Sequence, residues 1–294
     1  MIIGRTDVGR NPLDGAVPLA GHDAEDYHAR MRVGFVQSEP SFGAVADNIA
    51  RIRELLDGQR ADLWVLPELF ATGYQFTSYE EAEAVAEPLS RSATVDSLVD
   101  MAKEGDMFVV AGLPERGEHD RLYNAAVLVG ERGVLASYRK VHLFFEEKRW
   151  FHAGDVGFPV VDIGAARVGL MICFDHLFPE AARTLALRGA EVIAHPANLV
   201  MPVYAQLTMR ARALENGVFT VTANRVGTED RAAEPLTYTG ESQIVGPTGE
   251  VLVKAPPTGE AVEVVEIDPA KARDKALNPY NDRLADRRPE LYAA

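Results

Sequence analysis

Between residues 31 and 267 the sequence alternates short apolar runs with amphipathic stretches of helical period, and that alternation confines the chain to an α/β architecture. Val33, Phe35 and Gln37 open the pattern as a strand, and turn residues follow over 38–43. Val45, Ile49, Ile52, Leu55 and Leu56 then share one helical face, with Asp47, Arg51, Arg53 and Glu54 elsewhere. Further apolar runs lie at 63–66, 107–113, 125–129, 168–173, 192–194, 218–223, 243–245 and 262–267. Several carry few charges on either face, as expected of strands covered on both sides. Helices fit between them at 93–105, at 179–189 with Pro179 first and Gly189 last, and at 204–217, again ending in glycine. About nine strands exceed what one short open sheet holds, so two packed sheets with helices outside them are expected. Residues 1–30 show neither period and read as an N-terminal extension. No repeat or linker interrupts 31–270, which reads as one domain.

The 30 Lys and Arg residues are outnumbered by 44 Asp and Glu, a net charge of −14. That argues against a nucleic-acid backbone or an anionic membrane as partner, since both reward clustered cations. No apolar run approaches the roughly 18 to 20 residues that span a bilayer. Arg5, Asp7, Arg10 and Asp14 stand where a secretory signal needs an apolar stretch, so a soluble, cytoplasmic protein is expected. The chain has one cysteine, Cys173, which excludes an internal disulfide.

Three residues could carry chemistry. Cys173 ends an apolar run shortly before the helix that Pro179 begins, where backbone N–H groups can stabilise a thiolate and a developing oxyanion; the alternative is a small buried hydrophobe. Glu68 sits among Leu66, Pro67, Leu69 and Phe70, where desolvation would raise its pKa toward that of a general base; it could equally be a surface or capping residue. Lys140, between Tyr138 and Val141, is either solvated or, if buried beside Cys173, an oxyanion clamp. His176, His142 and His195 admit a Cys-His dyad, against structural roles for each. Tyr74 and Asn198 read as pocket residues or as packing and turn residues. No histidine pair at metal-ligand spacing, cysteine cluster or glycine-lysine phosphate loop is present, so neither a metal nor a nucleotide cofactor is expected.

The segments VLPELFATGY, YRKVHLFFEEKRWFHAGD and GLMICFDHLFPEAARTLALRGAEVIAHPANLV resemble the nitrilase superfamily of carbon-nitrogen hydrolases, whose signature is a Glu, a Lys and a Cys in that order. The resemblance covers roughly residues 31–290. It implies a four-layer α-β-β-α sandwich of two mixed sheets, with 31–270 as the hydrolase domain and a homodimer against whose interface residues 271–294 pack. It makes Cys173 the nucleophile, Glu68 the general base, Lys140 the oxyanion stabiliser and Glu147 a second glutamate, with Glu146 adjacent as the alternative. It also places His176 at the pocket wall.

The implied reaction is acyl transfer through a cysteine thioester, the oxyanion being held by Lys140 and the Phe174 backbone N–H. The segment ICFDHLFPE lacks the Trp-Glu pair that follows the cysteine in typical nitrilases, which favours an amide over a nitrile. Asp175 and His176 stand where N-carbamoyl amino-acid hydrolases tend to carry basic residues, which disfavours a free carboxylate on the substrate unless Arg183 or Arg225 reaches the site. A small neutral amide is therefore expected, with a nitrile or an N-carbamoyl amine as alternatives. A binding homologue that has lost activity is the alternative of another class, against which the joint presence of Glu68, Lys140 and Cys173 argues.

Overall fold

The computed structural model describes residues 30–292, so the extension expected over 1–30 falls, except for Arg30, outside the described residues. Two six-stranded sheets form the body. The first holds β1 (Met31–Gln37), β2 (Leu63–Val65), β3 (Phe108–Arg116), β4 (Leu122–Gly130), β5 (Gly133–Arg139) and β14 (Ala261–Ile267) in the order β14-β1-β2-β3-β4-β5. The second holds β6 (Val160–Asp162), β7 (Arg167–Leu170), β8 (Val192–Pro196), β9 (Phe219–Ala223), β12 (Gln243–Val245) and β13 (Val251–Lys254) in the order β13-β12-β9-β8-β7-β6. A two-stranded pair, β10 (Thr228–Glu229) with β11 (Leu236–Thr237), and another, β15 (Ala276–Asn278) with β16 (Asn281–Asp282), lie outside them.

Each sheet is mixed in the same way. β1, β2 and β3 run parallel, as do β7, β8 and β9, while the flanking pairs are antiparallel. Strands β2 and β8 thus occupy equivalent central places, and both are buried on both faces.

The two-residue period of the strands sorts their side chains between layers. Val33, Phe35, Leu63 and Val65 meet Val168, Leu170, Val192 and Ala194 in a core between the sheets. The alternate residues Trp64, Val109 and Val127 face outward and pack with Ile52 of α1 (Val45–Leu56) and with Val95, Leu98 and Met101 of α3 (Ala93–Gly105). On the other side, Met171 and Ile193 pack with Ala182 and Leu185 of α5 (Pro179–Leu187) and Met209 of α6 (Tyr204–Asn216). Helix, sheet, sheet and helix layers follow from those contacts, matching the expected sandwich. Ser92 caps α3 by accepting from the Val95 N–H at 3.1 Å, and Gly217 ends α6 at φ 57°. Two shorter helices, α2 (Tyr79–Val85) and α4 (Glu147–Trp150), pack against each other.

The strand count exceeds the expectation. β5, β6 and β13, which the apolar runs did not reveal, are all edge strands and are largely half-buried or exposed, so their sequences lack the unbroken apolar signal of a covered strand. The run expected as a strand over 168–173 stops at Leu170, and Cys173 begins a 3₁₀ turn (Cys173–Leu177) instead.

Candidate active site

The carboxyl ends of β2, β7 and β8 converge with the end of β5, and four polar residues meet there: Glu68, Cys173, Asn198 and Lys140. Glu68 lies three residues past β2, held because pairing with β3 continues beyond the strand: Leu66 N–H donates to Val110 O at 2.8 Å and Phe70 N–H to Gly112 O at 3.1 Å. Gly112 permits this approach, since a Cβ there would stand 2.5 Å from Glu68 Cα. Lys140 follows β5 directly, its N–H donating to Asn124 O at 2.8 Å and its carbonyl accepting from Gly154 N–H at 2.8 Å.

Lys140 is fully buried, and its Nζ donates to Glu68 Oε1 at 2.7 Å and to Glu147 Oε1 at 2.6 Å. Asn124 Nδ2 donates to the same Glu68 oxygen at 2.7 Å, and Tyr74 OH to the same Glu147 oxygen at 2.5 Å. Glu147, first residue of α4, is the glutamate at the lysine; Glu146 points away and pairs with Arg149 at 2.8 Å. Burial pushes the Glu147 carboxyl up to about 7, Lys140 pulling against it and Glu68 adding to it. Burial opposes the Lys140 ammonium, but Glu147 and Glu68 outweigh it and hold the lysine above its usual value.

Cys173 is buried at 5% exposure, with φ 41° in the left-handed region that side chains rarely adopt. Burial pushes its thiol well above the ordinary value, Glu68 adds to this, and Lys140 pulls the other way. A cysteine in that setting rests as a thiol and needs a base at the moment of attack.

Asp175 fixes the turn around it. Its carboxylate accepts from Ile172 N–H at 2.8 Å, Tyr138 OH at 2.7 Å and His142 N–H at 3.3 Å, with His142 Nδ1 at 2.7 Å. The turn that carries Cys173 is thereby tied to the segment that carries Lys140.

A narrow cleft opens beside Cys173, lined by Phe144, Phe174, His176, Asn198, Leu199, Val200 and Met201. His176, Phe174 and Asn198 are all at its wall. Tyr74, read as a pocket or a packing residue, gives its hydroxyl to Glu147. His176 pairs its Nδ1 with Thr208 Oγ1 at 2.7 Å, and burial, together with His195, Arg212 and Lys140, pushes it down to about 3. His195 turns Nε2 to the Cys173 carbonyl oxygen at 2.9 Å, so it braces the backbone. His142 stacks on Phe178 with ring centroids 3.7 Å apart. None of the three makes a dyad with the thiol. Arg225 is paired with Glu229 at 2.6 Å and Arg183 donates to Glu215 O at 3.0 Å, so both guanidiniums are engaged away from the cleft. Among the described residues, no group of three or more His, Cys, Asp or Glu could hold a metal ion, and no helix is long and apolar enough to cross a membrane.

Sequence reasoning missed Asn124, Asp175 and the apolar wall of Phe144, Leu199, Val200 and Met201. For Asn124 a signal existed: it is the one amide in the otherwise apolar run LYNAAVLV.

The carbon-nitrogen hydrolase family model matches residues 32–276. The chain belongs to that family. A nitrilase of Pyrococcus abyssi is 49% identical over 265 residues, covering 89% of this chain and 99% of its own length. An (R)-stereoselective amidase of Pseudomonas sp. is 36% identical over 263 residues, covering 88% and 92%. Among solved structures, a mutant of the amidase from Nesterenkonia sp. AN1, showing covalent addition of the acetamide moiety of fluoroacetamide at its active-site cysteine, is 29% identical with a TM-score of 0.74, covering 92% of this chain and 98% of that one. This carbon-nitrogen hydrolase is a member of the nitrilase superfamily with an amidase-like fold.

Proposed function

We propose that this carbon-nitrogen hydrolase converts a small neutral amide to its acid and ammonia through a thioester on Cys173. The observation that carries the reading is the dry ionic cluster behind the thiol: one ammonium, Lys140, shared at 2.7 and 2.6 Å between two carboxylates. In the proposed sequence the Cys173 thiol gives its proton to Glu68 as sulfur attacks the carbonyl carbon. Lys140 and the Phe174 backbone N–H hold the oxyanion, a role worth about 2.7 to 4 kcal/mol for a single donor elsewhere. The carbon-nitrogen bond then breaks and Glu68 passes the proton to the departing nitrogen, which leaves as ammonia. Water, deprotonated by Glu68, attacks the thioester, the carbon-sulfur bond breaks, the carboxylic acid is released, and the proton on Glu68 returns to the Cys173 sulfur. Glu147 keeps Lys140 oriented through its hydrogen bond to the ammonium. The apolar wall of Phe144, Phe174, Leu199, Val200 and Met201 takes the acyl group, and among the described residues no Lys or Arg lines the cleft for a substrate carboxylate.

Cys173→Ala is expected to abolish ammonia release from every accepted substrate while the melting curve stays close to that of the parent. Retention of the rate by the variant defeats the assignment. The nitrilase name of the Pyrococcus abyssi relative supports a nitrile as the second reading, by a parallel thioimidate route.

We propose that the chain pairs with a second copy of itself. Leu207 and Leu214 of α6 are 60% and 49% exposed, and Tyr280 and Leu291 in the C-terminal segment 90% and 66%. A second copy covering that face, with residues 271–294 at the interface, accounts for both.

A further inference from the structure

Two buried carboxamides at the site have their orientation forced by their partners. Asn198 Nδ2 donates to the Glu68 carbonyl oxygen at 2.9 Å, and Asn124 Nδ2 donates to Glu68 Oε1 at 2.7 Å. A carbonyl or carboxylate oxygen can only accept, so each amide must turn its nitrogen to Glu68 and its oxygen the other way. Asn198 Oδ1, Asn124 Oδ1 and Glu68 Oε2 are all buried and have no hydrogen-bond partner among the described residues. Asn198 is 2% exposed and lines the cleft next to Cys173. The site therefore holds three unpaired acceptors, with Asn198 in the cleft beside the thiol and hydrogen-bonded to the backbone of Glu68.

We infer that Asn198 Oδ1, with Glu68 Oε2, receives the two N–H groups of an unsubstituted amide nitrogen, which makes Asn198 a specificity residue for primary carboxamides over nitriles. This rests on the reading of Cys173 as the acylated residue. A carboxamide NH₂ supplies two donors, and the ammonia it becomes supplies three. A nitrile nitrogen carries no hydrogen and an ester oxygen none, so either would leave desolvated acceptors unpaired. Buried polar groups left without a partner are what give binding sites their largest discrimination, far more than an apolar wall can provide. Reacting atoms and electrons are those of the proposed acyl transfer, and Asn198 forms no bond to carbon.

Butyramide, butyronitrile and p-nitrophenyl butyrate share one acyl group and differ in N–H donors, and they form the test. The unaltered protein is expected to show a kcat/KM for butyramide at least about 100-fold above that for butyronitrile. In Asn198→Ala the ratio of kcat/KM for butyramide to that for the ester is expected to fall by about 10- to 100-fold, whatever happens to either alone. A merely structural Asn198, displacing Glu68 when lost, lowers both substrates together and leaves the ratio unmoved, which overturns the inference. Butyronitrile turned over as well as butyramide by the unaltered protein also overturns it, and needs no variant to fold. Intact mass after the ester separates the two levels: a butyryl adduct on Cys173 with an unmoved ratio defeats only the role of Asn198, whereas no adduct from any of the three defeats the proposed function as well.

Discussion

Two buried ionic clusters lie on either side of Tyr74, and they differ in how completely they are satisfied. On one side Arg225 meets Glu229 one to one at 2.6 Å. The guanidinium also donates to Pro40 O at 3.2 Å and stacks over the Tyr238 ring at 4.0 Å. Glu229 accepts from Gln75 N–H at 2.7 Å, Tyr238 OH at 2.9 Å and the Tyr74 backbone N–H at 3.2 Å. On the other side Lys140 faces two carboxyl groups, so one of them has no cation of its own, and Glu68 Oε2 has no partner among the described residues. Tyr74 touches both, giving its N–H to Glu229 and its hydroxyl to Glu147. A cluster whose every lone pair is used can only hold the chain together. One with a surplus carboxylate, a spare oxygen and a thiol nearby has a place for a proton to go.

That contrast breaks most sharply at Glu68. Glu68→Gln keeps the size and removes the base, and ammonia release is expected to fall by up to about 10⁴-fold, with no acyl-enzyme in intact-mass spectra. A normal burst of acyl-enzyme from this variant sinks the assignment of Glu68 as first base. The satisfied cluster should answer in stability instead. Arg225→Met strands the Glu229 carboxylate in a dry pocket and is expected to cost about 3 to 5 kcal/mol in denaturant unfolding. If its unfolding free energy matches that of the parent, the two clusters are not different in kind.

The smallest effect concerns pH. Glu147 titrates near 7 in the folded chain against an ordinary 4.5, so the folded state favours its protonated form. The sign follows: this group supports folding most below pH 4.5, and the support is lost as pH rises through about 7. Glu147→Gln removes that dependence, and relative to the parent it is expected to be more stable at pH 8 than at pH 5 by up to about 3 kcal/mol. The matching Glu229→Gln, which leaves Arg225 unpaired, is expected to destabilise at both. Parallel stability-pH curves for Glu147→Gln and the parent argue against a carboxyl group without its own cation at Lys140.

The layers of the fold were legible because covered strands and amphipathic helices carry their burial in their spelling, as 63–66 and 45–56 do. The edges β5, β6 and β13 were not, since half-exposed strands have no such pattern. At the site, Glu68, Lys140, Cys173 and Glu147 stood out through their motifs, although 105 residues separate the first from the cysteine, from 68 to 173. Asp175 was weighed only for the charge it denies a substrate, and its task, accepting from Ile172, Tyr138 and His142, is a matter of which segments the two sheets bring side by side. Between the pocket and packing roles open to Tyr74 the sequence offers no choice, because neighbours in sequence do not tell which carboxylate a phenol will reach.

The backbone of Cys173, at φ 41°, sits where an L-residue costs roughly 1 to 2 kcal/mol and a glycine costs little. Stability and chemistry therefore rank the amino acids at this position in opposite orders. A library sorted only for heat resistance would drift toward glycine here, and its hardiest members would be its silent ones.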